Sequence, residues 1–86
     1  MTTFAEGRAI AEKIAKINNQ SVYNFQGKNY NKIWFKNLIN KLGITMKDIN
    51  IILDALIEDP FVGYEPIGQV AYNNPVVAQV LSQYQR

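Results

Sequence analysis

The corner Gly43-Ile44-Thr45 constrains this chain more than any other three residues. Before it, Trp34, Phe35, Leu38, Ile39 and Leu42 recur at helical spacing, with Lys32, Lys36, Asn37, Asn40 and Lys41 on the opposite side. After it, Ile49, Ile52, Leu53 and Leu56 form a second apolar stripe of the same period. Gly43 stands where a helix end calls for left-handed backbone, which glycine reaches without a Cβ clash. Thr45 can accept a hydrogen bond from the free N–H groups that open the next helix, and Asp48 suits the positive end of its dipole. The corner therefore predicts a helix over 32–42 capped by Asn31, then a helix from about Met46 to Glu58 stopped by Pro60.

Other signals flank this centre. Thr3 and Glu6 have capping-box spacing, ahead of a helix from Phe4 to about Ile17. Phe4, Gly7, Ile10, Ala11, Ile14 and Ile17 share one side, where the small Gly7 and Ala11 allow a close neighbour. Glu12 and Lys16 are four apart on the other side, and Asn18 to Gln20 end the helix. Val22, Tyr23, Phe25 and Tyr30 around Gly27 read as a short hairpin over 21–30. Phe61 to Tyr72 reads as irregular, punctuated by Gly63, Pro66 and Gly68. Asn74-Pro75 is a cap followed by proline at the first helical position, opening a last helix that runs to Gln83 or Tyr84. The expected fold class is α+β and mainly helical: four short helices and one short hairpin in a single small domain, residues 1–86.

Composition narrows the chemistry. The chain has no cysteine, hence no disulfide or thiolate metal site, and no histidine, hence no ordinary general base near neutral pH. The glycines lack phosphate-loop spacing. The one adjacent carboxylate pair, Glu58-Asp59, sits at a helix end where solvated charge is the rule. No enzyme activity, metal or cofactor is expected. No stretch approaches the roughly 20 apolar residues of a membrane helix, and the first residues do not read as a signal peptide. The expected setting is soluble and cytoplasmic, away from membranes. Charge is divided: residues 1–47 hold eight Lys and Arg against two Glu, a surplus of +6, whereas residues 48–86 hold one Arg against five acids, −4. Such a division fits either a side facing a polyanion or neutralisation within or between copies of the chain.

The stretch LINKLGITMKDINIILDAL, Leu38 to Leu56, resembles the helix-turn-helix of DNA-binding regulators. The resemblance rests on Leu42 before the corner glycine, Ile44 after it, the capping Thr45, and Ile49 and Ile52 where that family buries its second helix. It covers about 19 of 86 residues and implies a helix-turn-helix-like centre. The family usually has alanine four residues before the glycine; Ile39 stands there and implies a wider crossing. By the resemblance, the second helix would enter a DNA groove. Lys47 and Asn50 would then face bases, and Lys32, Lys36 and Lys41 phosphates, with the capping Thr45 counted among the nucleic-acid site residues. That helix, however, carries Asp48, Asp54 and Glu58 against Lys47 alone, and non-specific affinity for DNA comes mainly from Lys and Arg.

Two features point to a different partner. Ile51 faces away from the stripe of Ile49, Ile52, Leu53 and Leu56, with Met46 and the stem of Lys47 beside it, and burying it in an interface would contribute about 1.5–3 kcal/mol. The outer face of the last helix, Ala78, Gln79, Ser82 and Gln83, is uncharged, as interface cores are. The reading is a non-enzymatic interaction or regulatory protein: an adaptor, an inhibitor or a mobile-element accessory protein. It binds a protein partner or forms a homo-oligomer through Met46, Lys47, Ile51, Gln79, Ser82 and Gln83. The alternative is a DNA-binding transcriptional regulator. A third surface, Tyr23, Phe25 and Tyr30 with Lys28 and Lys32, has the make-up of a single-strand stacking platform, although such aromatics on a hairpin are more often core.

Overall fold

A computed structural model describes residues 3–20, 30–63 and 67–84. Five α-helices make up most of them: α1 Phe4–Gln20, α2 Tyr30–Asn37, α3 Met46–Ile57, α4 Ile67–Asn73 and α5 Pro75–Ser82. A π-helical turn, Leu38–Leu42, continues α2 up to the corner. The expected hairpin over 21–30 and the stacking residues Tyr23, Phe25 and Lys28 lie outside the described residues, apart from Tyr30, which opens α2.

The local signals place most helix ends. Thr3 Oγ1 accepts the Glu6 N–H at 3.1 Å and starts α1. Gly43 takes φ +64°, the left-handed conformation expected of it. Thr45 Oγ1 accepts the Asp48 N–H at 3.2 Å, and α3 stops short of Pro60 with Asp59 N–H on the Leu56 carbonyl. Asn74 Oδ1 accepts from the N–H groups of Val76 and Val77 at 3.0 and 3.3 Å, with Pro75 at the first helical position of α5.

Six expectations need correction. The chain has five helices among its described residues rather than four. Ile67, Val70 and Ala71 are all buried at helical spacing, and their burial outweighs the roughly 1 kcal/mol that Gly68 costs in the first turn of α4. Next, α1 continues through Asn18-Asn19-Gln20. Asn and Gln disfavour helix by only tenths of a kcal/mol, and no Gly or Pro intervenes. Asn31 lies inside α2 rather than capping it, because the helix begins at Tyr30. The π turn widens the end of that helix, so Leu38 is buried while Ile39 and Leu42 reach solvent instead of completing the apolar stripe. On α1, a Cβ at Gly7 would meet nothing within 4 Å among the described residues, and Ala11 and Phe4 are exposed. Glu12 pairs with Arg8 at 3.5 Å, using the i,i+4 spacing in the other direction.

All five helices contribute to one core. Ile17, Phe35, Ile49, Ile52, Leu53, Leu56, Ile67, Val70 and Val77 are fully buried in it. Helix α3 packs chiefly on α1 and α5, α2 packs on α1 and α4, and α4 packs on α5. The α4–α5 link is Asn74 alone. Its N–H reaches the Val70 and Ala71 carbonyls at 3.0 and 3.2 Å and closes α4, while its side chain opens α5.

Candidate interaction surface

The sequence candidates divide between several places. Met46, Lys47 and Asn50 line a groove of about 310 Å³ between α3 and α1, with Glu6, Ala9 and Ile10 opposite. Lys13 of α1 crosses to α3 there. Its ammonium donates to Asn50 Oδ1 and stands 2.6 Å from Asp54 Oδ1. Two of the polar groups on the outward side of α3 are therefore engaged within the chain. Lys47 is exposed.

Thr45 is also committed. Its Oγ1 caps α3, its N–H points to the Tyr84 hydroxyl at 3.4 Å, and that hydroxyl donates to Asp48 Oδ2. The C-terminal end of α5 is thereby fastened to the start of α3. Lys32, Lys36 and Lys41 are exposed on α2 and the π turn.

Ile51 is 38 % exposed and lies outside the lining of the groove that holds Met46, Lys47 and Asn50. Gln79, Ser82 and Gln83 are exposed on α5. The Ser82 hydroxyl is satisfied inside the helix, donating to the Gln79 carbonyl at 2.7 Å.

A larger depression escapes a reading of the sequence. Trp34, Leu38 and Leu42 from α2 and the π turn, Gly68, Gln69 and Tyr72 from α4, and Leu81 from α5 enclose about 470 Å³, within the range of natural binding pockets. Leu42 is 37 % and Tyr72 74 % exposed, so the apolar lining opens to solvent. Trp34, the chain's one tryptophan, meets Phe35 edge-on with ring centroids 5.0 Å apart, which holds it between core and groove. The i, i+3, i+4 spacing of Ile67, Val70 and Ala71 was the available signal for the α4 wall.

The other side of α4 carries a second feature. Val70 and Asn73, with Asp59, Pro60, Phe61, Asn74 and Pro75, surround a hollow of about 210 Å³. Asp59 organises it: one carboxylate oxygen accepts the Phe61 N–H and the other the Asn74 side-chain amide, both at 2.9 Å. Phe61 is held by its backbone N–H while the residue stays 59 % exposed.

Among the described residues no three His, Cys, Asp or Glu side chains gather as a metal site, and no helix is long and apolar enough to cross a membrane. No protein-family model, no curated protein and no solved structure matches the chain.

Proposed function

We propose that this chain is a small non-enzymatic interaction protein, and that the groove between α2, α4 and α5 is where it receives a protein partner or a second copy of itself. The observation that carries this reading is the solvent-open apolar lining of the groove, above all Tyr72 and Leu42. Aromatic side chains at the mouth of an apolar depression are the usual anchors of protein recognition. The absence of His and Cys from the sequence fits a chain that binds rather than catalyses. The interaction face moves accordingly from Ile51 and the outer side of α5 to the opposite flank of α5, where Leu81 joins Trp34 and Tyr72.

DNA recognition by α3 is the second reading, supported by exposed Lys47 and by Lys32, Lys36 and Lys41. The engagement of Asn50 and Asp54 by Lys13, and the acids on α3, weigh against it.

A photo-cross-linking side chain in place of Tyr72 tests the groove in cells that make the protein. The expected result is a discrete protein adduct at position 72 and none from a matched probe at exposed Lys16. No adduct at position 72, together with duplex DNA binding at low salt, would replace this reading with the second one.

A further inference from the structure

We infer that α5 is a strap closed by a clasp, and that the Tyr84 hydroxyl, seated between Asp48 and Thr45, sets how far the groove between α2, α4 and α5 opens. The inference rests on the reading of the groove as a contact face and names what regulates its width.

The strap is pinned at two points. At its start, Asn74 donates its side-chain amide to Asp59, just beyond the end of α3, at 2.9 Å. At its far end, the Tyr84 hydroxyl donates to Asp48 Oδ2 in the first turn of α3 and accepts the Thr45 N–H at 3.4 Å. Helix α5 therefore lies antiparallel along α3. Between the pins it carries no charged residue and is held by the buried side chains of Val77 and Val80.

The two pins are unequal. Asn74 closes α4 and caps α5, and its partner Asp59 is itself fixed by the Phe61 N–H. Beyond Ser82 the backbone continues on tighter bonds, Gln83 N–H to the Val80 carbonyl at 3.2 Å and Tyr84 N–H to the Leu81 carbonyl at 3.0 Å. Such three-residue bonds have poorer geometry than those of an α-helix, and helix ends open before cores do. The Tyr84 end is the one that yields first.

Two walls of the groove run into this clasp. Leu81 lines the groove and takes the Tyr84 N–H on its carbonyl. Leu42 lines it from the π turn, and Gly43 and the buried Ile44 lead from there to Thr45. One phenol thus ties the α5 wall to the corner wall. The Tyr84 side chain also packs against the core, a task phenylalanine would serve as well, so the hydroxyl is what adds the tie. With the tie broken, the last turn of α5 carries Leu81 away from Leu42, and Trp34, the chain's one tryptophan, gains solvent.

The test uses the full chain and three variants: Tyr84→Phe, which keeps the ring, Asp48→Ala, and Asp48→Asn, which keeps an acceptor oxygen. Far-UV circular dichroism verifies that each is folded. Native-state amide exchange followed by NMR reads the clasp, and acrylamide quenching of Trp34 reads the groove. In Tyr84→Phe and Asp48→Ala, exchange at Thr45, Gln83 and Tyr84 speeds by about tenfold, the worth of a hydrogen bond to a charged group. Exchange at Ile52 and Leu56 changes by a smaller factor, and Trp34 emission shifts to the red and is quenched more readily. Asp48→Asn lies between Asp48→Ala and the wild type in every readout.

Exchange at Thr45, Gln83 and Tyr84 that matches the wild type in Tyr84→Phe would overturn the inference. So would an increase shared equally by Ile52 and Leu56, which marks a hydroxyl that stabilises the whole fold. Trp34 quenching unchanged while the clasp amides speed up would overturn it as well, because the clasp would not reach the groove. The cross-link at position 72 tests the interaction reading separately: its absence removes the partner, and exchange and quenching still decide the clasp.

Discussion

The Lys13 ammonium on α1 stands 2.6 Å from the Asp54 carboxylate on α3, and the same ammonium donates to Asn50. Residues 41 positions apart in sequence are thereby linked across the outer side of α3. The Lys13 side chain keeps 28 % of its exposure and Asp54 62 %, so water and salt screen the pair. Lys13→Ala is expected to lower stability by no more than about 1 kcal/mol. A double-mutant cycle with Asp54→Asn, followed by urea unfolding, reads the coupling. It should be small at low salt and smaller at 1 M, where the Debye length is about 3 Å. A coupling of several kcal/mol, indifferent to salt, would contradict this account.

Gly7 and Gly43 give opposite predictions for the same substitution. Gly7 is inside α1, and a Cβ there meets nothing within 4 Å. Gly7→Ala should therefore stabilise the chain by about 0.5–1 kcal/mol, from helix propensity. Space is equally open at Gly43, but its φ of +64° is left-handed. Gly43→Ala should cost about 1–2 kcal/mol from the backbone alone. Urea midpoints of the two variants are expected to move in opposite directions; a shared direction would mean that the corner has rebuilt itself.

Most helix boundaries were legible where a signal is local, Asn31 and Asn18-Asn19-Gln20 being the exceptions. Thr3, Gly43, Thr45, Pro60 and Asn74-Pro75 each act on backbone groups no more than three residues away, and each does in the structure what its chemistry implies. Helix α4 was hidden because its buried residues, Ile67, Val70 and Ala71, span barely one turn, follow Gly63 and Pro66, and have Gly68 among them. The exposure of Ile39 and Leu42 was hidden because a stripe drawn at uniform helical pitch does not contain the wider turn at Leu38–Leu42. The groove depends on both, since α4 is one wall and the π turn part of another. The Lys13 link depends on α1 meeting α3, which no local pattern encodes.

Asn74 holds three segments at once: Oδ1 caps α5, the amide donates to Asp59, and the backbone N–H closes α4. Asn74→Ala should cost about 1–2 kcal/mol, toward the upper end for a lost cap because Asp59 loses its partner as well. Asn74→Asp keeps a capping oxygen but sets a carboxylate against Asp59, and should fall between alanine and the wild type at high salt and nearer to alanine at low salt. Thr45→Ala, which removes a cap with a single 3.2 Å bond to Asp48, should cost about 1 kcal/mol. Thermal unfolding of the three variants gives the order. If Thr45→Ala were the most destabilised, the Asp59–Asn74 link would not be carrying the loop.

Ile51 and Ile52 are neighbours on α3 with opposite environments, 38 % exposed against fully buried. Ile52→Ala leaves a cavity in the centre of the core and should cost about 2–5 kcal/mol. That is a large share of what an 86-residue chain has, roughly 4–13 kcal/mol. Ile51→Asp should leave stability within about 1 kcal/mol, since its side chain already meets water. It places a third carboxylate near Asp48 and Asp54. With the groove as the contact face, Ile51→Asp should form the same adduct at position 72 as the wild type, and cross-linking at matched concentration makes the comparison. If Ile51→Asp abolished the adduct while the fold stayed intact, the contact would lie on α3 and not in the groove.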